Sequence, residues 1–208
     1  MTIHTIGDSH SCNGWPATVK DHHIGPVLCY SFGRDNLGKC DIRNFDIKDG
    51  DTIVFCFGEI DCRCHIHKHI SEMPYQQIID ITVAQYARAI DINLRVSSLR
   101  PRYVCVYNVV PPIQRHKKEN HTVYPFLGED EERKQYVLYF NKKLREMCAS
   151  RGYIFFDVYD KYTDENGFLS DNLCDGNCHI GNGVHIDAFI RDHGLDLVPV
   201  AVLAADGP

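Results

Sequence analysis

The chain has 208 residues, 44% of them hydrophobic and 24% charged, the make-up of one folded domain with a sizeable core. Its net charge of −6 leaves no electrostatic case for binding nucleic acid or an anionic membrane surface. No apolar run approaches the ~20 residues needed to cross a bilayer, and the N-terminal residues lack the basic-then-apolar order of a secretion signal, so a cytoplasmic location is expected.

The first apolar run, Thr2 to Ile6, reads as a short strand that stops in Gly7-Asp8-Ser9. Ser11 to Lys20 reads as a short helix or loop and holds Trp15, the one tryptophan. Val27 to Phe32 is apolar and reads as a second strand ending in the turn-rich Gly33-Arg34-Asp35-Asn36. Thr52 to Phe57 is β-branched, aromatic and apolar on both faces, the pattern of a central parallel strand, and ends in Gly58-Glu59-Ile60-Asp61.

Pro74 opens a long helical stretch whose apolar face is Ile79, Val83, Tyr86, Ile90 and Leu94. Tyr103 to Tyr107 is a fourth strand and runs into Asn108. Ile113 to Gly128 is polar and irregular, long enough for a lid or binding loop. Glu129 to Glu132 place acid at a helix N-terminus, favourable against the helix dipole, and Arg151-Gly152 close that helix. Tyr153 to Val158 is a fifth strand, and a last helix spans about Val184 to His193. Five strands interleaved with helices predict an α/β fold, a parallel sheet covered on both faces, in a single domain over 1–208.

In such a sheet the strand ends converge on one edge, where ligands bind. Ser9 stands at one strand end, and a late segment, Asp175-Gly176-Asn177-Cys178-His179, precedes the last helix. Serine, histidine and aspartate suit nucleophile, base and orienting carboxylate. The plainer reading of Asp8 and Ser9 is a helix cap. Backbone N–H groups near Ser9 and at Gly33 could form an oxyanion hole, glycine letting substrate approach the backbone.

These segments together resemble the SGNH/GDSL hydrolase superfamily. Gly7-Asp8-Ser9 looks like its serine block, Gly33 like its second-block glycine, and Gly58-Glu59-Ile60-Asp61 falls where Gly-x-Asn-Asp would stand. Asp175 to His179 looks like the Asp-x-x-His block. The resemblance implies a flavodoxin-like α/β/α sandwich with a mostly parallel five-stranded sheet. It also implies an esterase that needs no cofactor, with Ser9 as nucleophile, His179 as base and Asp175 orienting it. A small acyl ester, such as an acetylated carbohydrate, is the expected substrate.

Two departures stand out. Ile60 occupies the place of the oxyanion-hole asparagine and cannot donate. Glu59, Cys62 or Arg63 could reorganise the site, and Arg63 could hold an anionic substrate group. The last block carries one extra residue, which stretches the Asp175–His179 pairing and leaves His185 as a rival base. Asp8, Glu59, Arg63 and Asn108 complete the candidate substrate-binding set. A non-catalytic carbohydrate-binding module and an acyltransferase are the alternatives on the same fold.

The ten cysteines are expected to be reduced, with Cys29, Cys56 and Cys105 packed as small hydrophobes. Cys62, Cys64, His65, His67 and His69 invite a zinc hypothesis, but their spacing fits no zinc-finger pattern and alternating histidines usually present a solvated face. No metal is expected. Asp61 is expected to be structural near the Ser9 turn, and Arg115-His116-Lys117-Lys118 a solvated loop or a clamp for an acidic group.

Overall fold

A computed structural model of the chain describes residues 1–115 and 123–197. The calls on His116 to Lys118, on the middle of the long loop and on the tail beyond Leu197 lie outside these residues.

Five strands form one parallel sheet: β1 (Ile3–Gly7), β2 (Lys20–His23), β3 (Thr52–Cys56), β4 (Tyr103–Tyr107) and β5 (Ile154–Phe156). Their order is β2-β1-β3-β4-β5, so the chain reverses direction across the sheet between β1 and β3. That switch point is where a ligand crevice opens in a doubly wound sheet. Alternation along the strands sorts the core into two layers. Ile6, Ile53, Phe55 and Val106 face α1 (Cys29–Asp35), the short α2 (Ile66–His69), α3 (Tyr75–Ser97) and α4 (Asp130–Arg151). Ile3, Val54, Cys105 and Phe156 face α5 (Val184–Asp192) and the loops beside it. The sheet therefore carries helices on both faces, a three-layer α/β/α fold.

The central elements form where periodicity places them. α4 starts with a capping box between Glu129 and Glu132 and stops at Gly152, whose φ of 69° needs no Cβ. Cys29, Cys56 and Cys105 are all buried as expected, though Cys29 sits in a helix.

The second strand is the main correction. Val27 to Phe32 is not a strand; most of it enters α1, which buries Cys29, Phe32 and Gly33 at helical spacing. A short apolar run fits a buried helix as well as a strand. What selects helix here is tertiary. Phe32 packs against Phe55, Phe57 and Tyr86, and Gly33 meets the backbone of α3. The strand that takes the expected place is Lys20–His23, mostly exposed and polar on the sheet edge, where charge guards against edge pairing.

Candidate active site

Ser9 leaves β1 on a tight turn whose first residues are fixed by close contact. A Cβ on Gly7 would lie 1.9 Å from the Cys56 carbonyl oxygen, so only glycine lets β1 run this close to β3. The Asp8 N–H then donates to that same carbonyl, at 3.2 Å. Ser9 to Ser11 form a single 3₁₀ turn. Thr5 Oγ1 donates to the Ser11 carbonyl at 2.6 Å, Ser11 Oγ to the Asp8 carbonyl at 2.8 Å, and Asn13 Nδ2 to the Ser9 carbonyl at 2.6 Å. Trp15 closes the bracing from below, its indole N–H on the His10 carbonyl at 2.9 Å and its rings against Tyr107 and Phe156. Among the described residues the Ser9 N–H has no hydrogen-bond partner, which leaves it available to an oxyanion.

The late segment folds back onto this turn. Cys174 and Ile180 form an antiparallel bridge, and the Asp175 N–H donates to the His179 carbonyl at 3.0 Å. Asp175 Oδ1 accepts from the N–H of Asn177 at 2.7 Å and of His179 at 3.3 Å. Its second oxygen, Oδ2, lies 2.8 Å from His179 Nδ1. His179 Nε2 lies 2.8 Å from Ser9 Oγ. The extra residue in this block is thus absorbed in a closed turn, and the carboxylate still meets the ring. Burial pushes the His179 imidazole below its usual value, the charge near His10 adds to this, and the Asp175 carboxylate opposes it. Burial alone would raise Asp175, but the His179 ring and the backbone donors hold its carboxyl below the usual range. His185 lies elsewhere, at the start of α5 with its ring edge-on to Tyr162.

The other candidates divide. Glu59 and Arg63 form a mostly buried ion pair, 3.2 Å between Oε2 and a guanidinium nitrogen. The other end of the guanidinium, Nη1, lies 3.8 Å from Cys178 Sγ, beside the base, and the group stacks over Phe126. Ile60 is buried and offers nothing to the site. Asp8 does not face substrate: its Oδ1 accepts the His10 N–H at 2.9 Å and lies 3.0 Å from His10 Nδ1. Asn108 is likewise turned inward, accepting from the Val158 N–H at 2.9 Å and donating to the Val109 carbonyl at 2.9 Å, which ties β4 to the end of β5.

Gly33 is no oxyanion donor. It lies inside α1, where an added Cβ would come within 2.8 Å of the Gln85 Cβ and 3.0 Å of the α3 backbone. Its role is close helix packing. Asp61 is structural, but on α1 rather than the Ser9 turn: its carboxylate accepts from the Cys29 and Tyr30 N–H groups at 2.6 and 3.0 Å. Burial raises its pKa to about 7, against the pull of those two donors. Asp61→Ala leaves two buried helix-start donors without an acceptor and is expected to cost about 2 kcal/mol in urea unfolding.

The cysteine–histidine cluster does not converge. Cys62 and Cys64 are buried, His65 stacks on Tyr30, and His67 lies 3.2 Å from the Tyr136 hydroxyl. Among the described residues one trio brings metal-type ligand atoms together: those of His10, Cys178 and His179 lie within 4.8 Å of one another. Its ring nitrogens are engaged, His179 Nε2 with Ser9 and His10 Nε2 with the Cys178 carbonyl, and burial pushes the Cys178 thiol up, away from the thiolate a metal needs. His10 itself is a residue the sequence reading passed over. Its signal was the Asp-x-His spacing around the serine.

Comparison with solved structures places the fold. A GDSL-like lipase from Bacteroides thetaiotaomicron superposes with a TM-score of 0.62 at 14% identity, over 94% of this chain and 87% of that one. The fold is that of the SGNH/GDSL hydrolases. An acetylxylan esterase from Geobacillus stearothermophilus, Axe2, superposes with a TM-score of 0.56 at 11% identity, over 93% of this chain and 94% of that one. No protein-family model and no curated sequence matches the chain. No helix among the described residues is long and apolar enough to cross a membrane.

Proposed function

We propose that this SGNH-fold chain is a serine ester hydrolase. The observation that carries the reading is the unbroken relay Ser9 Oγ–His179 Nε2, 2.8 Å, and His179 Nδ1–Asp175 Oδ2, 2.8 Å. Ser9 Oγ attacks the ester carbonyl while its proton passes to His179 Nε2. Asp175 holds the ring in the tautomer that accepts at Nε2 and stabilises the imidazolium that forms. The Ser9 N–H meets the developing oxyanion. His179 returns the proton to the leaving alcohol. Water then repeats the sequence on the acyl-enzyme and releases the acid.

A short acyl group is the acid part we infer, from the likeness to esterases of acetyl groups. An O-acetylated carbohydrate is the alcohol class we infer, in line with the acetylxylan esterase among the structural neighbours. The missing third-block donor at Ile60 favours one second reading, a carbohydrate-binding module without turnover.

p-Nitrophenyl acetate hydrolysis across pH tests the proposal, with a chelator control. His179 must be neutral to accept a proton, and its value is lowered, so the acid limb of kcat/KM is expected to lie below the ordinary histidine value. Chelation is expected to leave the rate unchanged. Absence of turnover on acetyl esters, with phosphonate labelling also absent, favours the binding module.

A further inference from the structure

His10 has no part in the relay, yet it is buried directly behind it. Its Nε2 lies 3.2 Å from the Cys178 carbonyl oxygen, and its Nδ1 lies 3.0 Å from Asp8 Oδ1. Its ring centroid is 4.9 Å from that of His179. We propose that Asp8 and His10 form a second dyad that touches no substrate, ties down the peptide carrying the base, and sets a fixed positive charge against the His179 ring. This rests on the reading of Ser9 and His179 as nucleophile and base, and makes His10 a positioning residue for them.

The protonation follows from the partners. A carbonyl has no proton to give, so His10 Nε2 must carry one. On the other side Nδ1 faces a carboxylate oxygen, so both nitrogens hold protons and the ring is an imidazolium. The charged groups around it favour this. Asp8 stands at the end of β1, Glu59 and Arg63 on the segment after β3, and Asp175 and His179 on the late loop. Three carboxylates against one guanidinium leave negative charge in excess. Burial alone would lower His10, but the Asp8 carboxylate, with Glu59 and the Cys178 carbonyl, outweighs it and holds the ring above its usual value.

Two effects on the base follow. The bond to the Cys178 carbonyl joins the residue after the nucleophile to the peptide before the base, 168 residues apart. It anchors the Asp175–His179 loop to the turn that carries Ser9. The imidazolium beside His179 also disfavours a second positive charge there, so the base stays neutral and ready in mildly acid solution.

The test is an NMR titration of the histidine rings in wild type, His10→Gln and Asp8→Asn, paired with pH profiles of p-nitrophenyl acetate hydrolysis. His10→Gln keeps a donor for the Cys178 carbonyl and removes the charge. Asp8→Asn keeps the ring and removes its counter-charge. Both nitrogens of His10 are expected to be protonated in wild type at pH 7.5. In both variants the His179 titration and the acid limb of kcat/KM are expected to move up by about one pH unit, with KM little changed. His10→Ala, which also removes the strut, is expected to lower the plateau kcat about tenfold further.

A singly protonated His10 in wild type overturns the proposal, and that readout needs no variant to fold. An unchanged His179 titration in folded His10→Gln and Asp8→Asn overturns it equally. The NMR arms stand whether or not Ser9 proves to be a nucleophile, which phosphonate labelling answers separately.

Discussion

Ser9→Ala is expected to lower kcat on p-nitrophenyl acetate by about 10⁴-fold or more while leaving the urea unfolding midpoint close to wild type. The loss is large because the hydroxyl is the atom that forms the acyl bond, and no other group stands ready to replace it. Cys178 Sγ sits 3.7 Å from His179 Nε2, but burial keeps it a thiol. Stability should barely change because Ser9 Oγ makes one side-chain bond, to His179, at a half-buried position. The turn itself is held by Asp8, Ser11, Asn13 and Trp15, none of which the substitution touches. Far-UV circular dichroism and the melt separate chemical loss from unfolding.

Asp175→Asn is expected to lower kcat by about 10³- to 10⁴-fold with KM nearly unchanged. The reason lies in the turn. One oxygen of Asp175 accepts two backbone N–H groups, from Asn177 and His179. In the variant that position must stay an oxygen, so the amide NH₂ is forced to face His179 Nδ1. A donor there demands an unprotonated Nδ1 and moves the ring proton to Nε2. The base then points an N–H at Ser9 and cannot take its proton. The pH profile supplies the check: raising pH does not rescue this variant, since the ring is already neutral and merely in the wrong tautomer.

The parts of the fold written in local pattern were legible in the sequence. β3 is apolar on both faces, α3 carries a clear stripe, and α4 has local start and stop signals. Val27–Phe32 was not legible, because its helix depends on partners far along the chain: Asp61 caps its start and Gln85 and Tyr86 of α3 receive Gly33. β2 was missed for the opposite reason, since an exposed edge strand of Lys20-Asp21-His22-His23 carries no apolar signal.

The site divides along the same line. Ser9, His179 and Asp175 could be marked as candidates from short motifs at strand ends and before the last helix, and the structure brings the three within hydrogen-bond reach. Gly33 was misplaced because motif order is not position: the glycine falls inside α1, packed against α3. Asn108 and Asp8 were read as facing substrate because their residue types suit it. The Asn108 side chain is instead consumed by backbone groups, and Asp8 Oδ1 by the N–H and ring of His10. That inward turn is set by three-dimensional neighbours, which no spacing in the chain records.

The most direct measurement is labelling with a fluorophosphonate followed by peptide mapping. One adduct is predicted, on the peptide that contains Ser9, absent in Ser9→Ala and strongly slowed in Asp175→Asn. No adduct on the folded wild-type protein, or an adduct confined to another residue such as the exposed Cys12, contradicts the account at its centre.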